Sequence, residues 1–202
     1  MLVEKFSSIL IVVINQAKIQ NPKSKRNTSV VKIQNSKLVE LYLIRHGIAQ
    51  ESSKEIKDEE RILTEQGRKR AQKVAQRFKD LDLSFDLIAT SPLVRAQQTA
   101  EILFSTGLSS QLEQCSDLAF NGKVEVWIKK WLIPRNFSPS TRLALVGHEP
   151  CLSNWAETLI WGEAKDSLVL KKAGTIGLEI PETGSIVGCG KMFWLTPPRY
   201  FI

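Results

Sequence analysis

Three stretches of the chain are almost wholly apolar over strand-like lengths: Leu41 to Gly47 (LYLIRHG), Asp86 to Thr90 (DLIAT) and Arg142 to Gly147 (RLALVG). Continuous apolar runs of this size predict buried strands. Between them the period changes to that of a helix. Thr64 is placed to cap a helix over Glu65 to Lys79, in which Ala71, Val74, Ala75 and Phe78 fall at i, i+3, i+4 and i+7. Arg68, Lys69, Arg70, Lys73 and Arg77 cover its other faces and read as solvated. Ser91-Pro92 opens a second helix running through Ala100, with Arg95 near its first turn. Leu112 to Leu118 reads as a third strand, and Val124 to Leu132 as a short helix with Val124, Trp127, Ile128 and Trp131 facing a core. Cys151 to Trp161 is a further helix. Thr175 to Ile180 and Lys191 to Leu195 are strands split by the Pro181-Glu182-Thr183-Gly184 turn. Ile48 to Ile62 is charged and irregular, a loop over the end of the first strand.

The first 38 residues stand outside this pattern. Residues 15–38 are polar and basic with no sustained period, so they bury too little apolar surface to offset the entropy of ordering. We expect a basic, disordered extension over 1–38 and one self-sufficient domain over 39–202. Charge supports the division. Of the formal net charge of +7, residues 1–38 carry seven Lys/Arg against Glu4 alone, so the domain itself is nearly neutral. A nucleic-acid face on the fold is therefore not expected. The apolar run Ile9 to Ile14 falls far short of the ~20 residues that cross a bilayer, and it makes a poor signal peptide. Cys115, Cys151 and Cys189 are odd in number and lack C-x-x-C spacing, which points to no disulfide framework, no zinc site and a cytoplasmic setting.

The chemistry gathers where apolar strands end. Arg45, His46 and Gly47 close the first strand, and in open α/β sheets ligands bind at the carboxyl ends of strands. A neutral imidazole is a nucleophile near pH 7 without a separate base. The guanidinium beside it is permanently charged and matches phosphate oxygens in a forked fashion, so the pair suits attack on phosphorus. Gly47 permits a sharp turn. Arg95, in the first turn of its helix, also favours an anion. The strand Arg142 to Gly147 repeats the design by running into His148-Glu149-Pro150, and His46 and His148 are the two histidines of the protein.

Taken together, Leu43-Ile44-Arg45-His46-Gly47, Leu63-Thr64-Glu65-Gln66-Gly67, the run from Thr90 to Ala100 and Val146-Gly147-His148-Glu149-Pro150 resemble the histidine phosphatase superfamily. The resemblance covers roughly residues 40–202. The short form, with little room for the lid segments of the larger mutases, looks like the SixA-type phosphohistidine phosphatases. The resemblance implies an α/β fold, a three-layer sandwich with a mostly parallel central sheet, phosphoglycerate mutase-like. It implies that His46 is the nucleophile and forms a phosphohistidine intermediate that water hydrolyses. Arg45, Arg95 and His148 would clamp the phosphoryl oxygens, with no metal and no cofactor.

The proton donor to the leaving group stays open between Glu149, Asp117 and no residue at all, since SixA-type enzymes resemble an exception to the use of an acidic donor. A departing imidazole needs less help from an acid than an alkoxide does, so a weak or absent acid favours phosphohistidine as substrate. The expected activity is that of a cytoplasmic, monomeric protein-phosphohistidine phosphatase. Its partner would be a phosphorylated histidine-containing phosphotransfer protein, with neither nucleic acid nor membrane involved. The alternatives are a phosphatase of a small phosphorylated metabolite and a noncatalytic module that binds a phosphorylated partner.

Overall fold

Alternate residues of the first strand pack into two separate cores, which explains why its sequence is apolar without alternation. Val39, Leu41 and Leu43 join one core, while Tyr42 and Ile44 join the other. The computed structural model describes residues 38–182 and 184–200. In it β1 (Leu38–Arg45) is followed by α1 (Glu65–Asp80), β2 (Leu87–Thr90), α2 (Val94–Ser105), β3 (Leu112–Gln114), α3 (Val124–Trp127), β4 (Arg142–Gly147), α4 (Cys151–Trp161), β5 (Thr175–Pro181) and β6 (Lys191–Thr196). The expected extension ended at residue 38, but Leu38 already pairs in β1, opposite Pro181. The remainder of that segment lies outside the described residues.

The strands form a six-stranded sheet in the order β3-β2-β4-β1-β5-β6. The pairs β3·β2, β2·β4 and β4·β1 are parallel, and β5 and β6 add antiparallel to one side, so the sheet is mixed with a parallel majority. On one face lie α1 and α2, through Ala71, Val74, Ala75, Phe78, Ala96 and Ala100. On the other lie α3 and α4, where Trp127, Trp131, Trp155 and Leu152 fill the core. The result is a three-layer α/β sandwich, and each fully buried aliphatic side chain contributes about 1.5–3 kcal/mol to it. Thr64 caps α1 through its hydroxyl, which accepts from Gly67 N–H at 3.0 Å.

Two elements differ from the sequence expectation. The strand expected over Leu112 to Leu118 stops pairing at Gln114, and Ser116–Leu118 is a 3-10 turn. Ser116 and Asp117 favour turns, and buried Leu118 pins the chain as it bends over the sheet. Asp117 therefore sits on a turn and not at a strand end. The helix expected over Val124 to Leu132 is α-helical only to Trp127, then widens into a π turn over Ile128–Leu132. Trp127 and Trp131 stack there with ring centroids 5.3 Å apart.

Candidate active site

Three neighbouring parallel strands end together, and each delivers a polar side chain to the same place. Ser91 follows β2, His148 follows β4 and His46 follows β1. All three are buried, His148 completely and His46 at 6% exposure. The backbone fixes the join, since His46 N–H donates to the Gly147 carbonyl at 3.0 Å and Ser91 N–H to the Val146 carbonyl at 2.9 Å. The two imidazole rings stand 5.1 Å apart.

The hydrogen bonds of His46 decide its tautomer. Nδ1 lies 2.7 Å from the Gly47 carbonyl, which can only accept, so Nδ1 carries the proton. Nε2 is left with a lone pair, and it accepts from Arg95 Nε–H at 3.3 Å. The turn that allows this is tight: a Cβ on Gly47 would come within 3.2 Å of the Gly67 carbonyl oxygen. Gly47 N–H is held by the Thr99 hydroxyl at 3.0 Å, and that hydroxyl donates to the Arg95 carbonyl at 2.7 Å.

Arg95 is 1% exposed. Besides His46 it contacts Asp58, with Nη1 donating to the backbone carbonyl at 2.5 Å and Nη2 to the carboxylate at 2.8 Å. Its guanidinium also lies 5.2 Å from the centroid of the Phe120 ring, which leans on His148 at 4.6 Å. Arg45 donates through Nη1 to the Leu170 carbonyl at 2.8 Å. Its Nε is buried without a partner among the described residues, as is Nδ1 of His148, whose Nε2 is 2.8 Å from the Ser91 hydroxyl. The site thus holds two guanidinium groups, two neutral imidazoles and two unspent buried nitrogens, a donor set suited to an anion with several oxygens.

Burial pushes the His46 pKa down to about 3, and the neighbouring His148, Arg95 and Arg45 push the same way. His148 is likewise held near about 3 by burial, with Arg95 and Arg45 adding to it and Asp58 opposing. Both rings therefore stay neutral in the folded protein well below the ordinary histidine range. In the unfolded chain they bind protons near pH 6.5, so between about 3 and 6.5 the unfolded state binds more protons than the native one. Stability should accordingly fall as pH drops through that window, by at most ~1.4 kcal/mol per pH unit for each ring. We expect the melting temperature to decline from pH 7 to 5, above the carboxylate range, and to decline less steeply in His46→Asn. An unchanged melting temperature over that interval would contradict the neutral assignment.

The two candidate proton donors are placed differently. The Glu149 carboxylate is fully engaged: Oε1 accepts from the Ser153 hydroxyl and from Leu170 N–H, both at 2.6 Å, and Oε2 from Ser153 N–H at 3.3 Å. It caps the start of α4 and tethers the loop whose Leu170 carbonyl receives Arg45. Asp117 lies on the 3-10 turn that leads to Phe120, and its carboxylate makes no hydrogen bond or ion pair among the described residues. Among those residues, too, no group of three or more His, Cys, Asp or Glu is arranged to hold a metal ion. No described helix is long and apolar enough to cross a membrane.

Residues 41–119 match the histidine phosphatase superfamily (branch 1). An uncharacterised protein of Picosynechococcus sp. (strain PCC 7002) is 39% identical over 168 residues, spanning 81% of this chain and 99% of its own. The chain belongs to the histidine phosphatase superfamily. Its fold is similar to that of the protein histidine phosphatase SixA, solved with tungstate, at a TM-score of 0.69 and 21% identity over 81% of this chain and 99% of that one. It is also similar to the phosphoglycerate mutase of Plasmodium falciparum, at a TM-score of 0.55 and 17% identity over 77% and 89% of the two chains. Histidine phosphatases are hydrolases, and the strand-end histidines and Arg95 singled out from sequence come together here in one buried cluster, with half-buried Arg45 near enough to act on both rings electrostatically. Sequence reasoning missed Asp58, Ser91, Thr99 and Phe120. Ser91 alone had a signal, since it follows a buried strand just as His46 and His148 do.

Proposed function

We propose that this histidine phosphatase is a protein-phosphohistidine phosphatase that dephosphorylates a histidine-containing phosphotransfer protein. The observation that carries the reading is the state of His46, with Nδ1–H fixed on the Gly47 carbonyl and the lone pair of Nε2 facing Arg95. Nε2 attacks the phosphorus of the substrate phosphohistidine. A new N–P bond forms as the substrate N–P bond breaks, and the electron pair returns to the departing imidazole. If the departing ring is protonated on its other nitrogen, it leaves as neutral imidazole. His46, with Nδ1–H retained, becomes its mirror image, a phosphorylated imidazolium stabilised by the Gly47 carbonyl. The step then needs no proton transfer, which suits a site whose Glu149 carboxylate is already spent on three donors. Arg95, Arg45 and His148 would supply donors to the phosphoryl oxygens as charge shifts between them. Water then attacks phosphorus, phosphate leaves, and His46 returns to the neutral ring.

An alkyl phosphomonoester would make a different demand, because an alkoxide must be protonated as it departs, and a positioned acid is worth ~10²–10⁴ in rate. The test compares rates on a phosphohistidine protein and on a panel of phosphomonoesters, using wild type, Asp117→Asn and Glu149→Gln. On the phosphohistidine protein we expect Asp117→Asn to cost less than about threefold, since the step has no use for its proton. Wild type should be poor on the esters. A wild type that prefers alkyl esters, and loses that activity selectively in one of the two variants, would hand the site to a small-metabolite phosphatase instead.

A further inference from the structure

Arg95 devotes both of its terminal nitrogens to one residue. Nη1 donates to the Asp58 carbonyl and Nη2 to the Asp58 carboxylate, while Nε alone points at His46 Nε2. Asp58 is held in turn from its far side: Arg61 Nη1 donates to the other carboxylate oxygen at 2.6 Å, and Arg61 Nε donates to the Gln50 carbonyl at 2.7 Å. The loop carrying these groups is closed at its base, where Ala49 bridges Leu63 and Gln50 N–H donates to the Ile62 carbonyl. It is also fastened to α2, since Leu63 N–H donates to the Gln98 side chain at 2.8 Å. Asp58 is thus a braced abutment against which the Arg95 guanidinium rests.

We infer that Asp58 is a positioning residue for phosphoryl transfer: it grips the end of the Arg95 guanidinium and so aims Nε at the point beside His46 Nε2 where phosphorus will bind. The inference rests on the phosphoryl-transfer reading of His46. A guanidinium carries five N–H groups; Asp58 engages one on each terminal nitrogen and His46 Nε2 the one on Nε, so two remain for phosphoryl oxygens. The Arg95 side chain is 2% exposed and Asp58 is its ion-pair partner, which meets the need of a buried cation for a counter-charge.

The full-length protein is used for the test, with wild type, Asp58→Ala and Asp58→Asn. Phosphoenzyme formation from phosphoramidate gives kcat and KM, titration calorimetry gives the affinity for inorganic phosphate, and thermal melts report folding. We expect Asp58→Ala to lower kcat by about 10- to 100-fold, as a misaimed catalytic group does, with KM and phosphate affinity changed less. Asp58→Asn should recover part of the loss, because its amide oxygen still accepts from Nη2. Tighter phosphate binding with higher kcat/KM in Asp58→Ala would make Asp58 a competitor of substrate and overturn the inference. A lowered melting temperature with unchanged kcat would reduce it to a loop brace, with the same consequence. A wild type that takes up no phosphoryl group overturns the transfer reading as well, whereas a labelled wild type beside an unimpaired Asp58→Ala overturns this inference alone.

Discussion

His46→Ala should abolish both phosphoenzyme trapping and turnover, with kcat reduced by at least ~10⁴-fold, as when a covalent nucleophile is removed. The argument is positional. Nε2 of His46 is the nitrogen beside Arg95 with a lone pair and no proton, because Nδ1 holds the proton against Gly47. His148 cannot take over, since its ring is 5.1 Å away and its own Nε2 is bonded to Ser91. The sheet is complete without the His46 ring, which lies beyond the last residue of β1, so the variant should remain folded by circular dichroism. Recovery of acid-labile, base-stable phosphate on that folded variant would remove His46 from the role of nucleophile.

Arg95→Ala should lower kcat/KM by roughly two to three orders of magnitude, as loss of a preorganised donor to the transferring group does. Arg95→Lys should recover little. A lysine brings a point charge, but it cannot reach the Asp58 carbonyl, the Asp58 carboxylate and His46 Nε2 at once in one plane. Arg45→Ala should fall in the same range, since its buried Nε has no partner among the described residues and can donate to an oxygen. Steady-state kinetics on a phosphohistidine protein decide the matter, and a near-wild-type rate for Arg95→Ala would place it outside the chemistry.

The parts of the site that could be read from sequence are those attached to a periodic signal. His46 and His148 each follow an apolar strand, so their location at the sheet's rim came with the strand itself. Arg95 came with its helix start. Asp58 had no such marker: in the stretch Asp58-Glu59-Glu60 it reads as one of three solvated loop acids, and its partner Arg95 lies beyond α1 and β2. Phe120 follows a turn whose sequence reads as strand, and nothing local aims its ring at His148. Glu149 illustrates the reverse. Its position after His148 reads as proton transfer, while its contact to Leu170 depends on a loop that returns to the helix only in the folded chain.

The strand order bears on how the molecule comes to be folded at all. β1 is the first of the described strands, yet both of its neighbours, β4 and β5, come from the later part of the chain. A growing or truncated polypeptide ending at residue 119 would leave β1 unpaired on both edges and His46 without Gly147 to hold its backbone. Non-local pairing of this kind must meet the entropy of closing a long loop before it gains anything, and it slows folding accordingly. The amino-terminal half should therefore be unable to fold alone. Catalytic competence should appear only in the last cooperative step, when the segment after residue 142 inserts between β2 and β1, with no partly active intermediate before it.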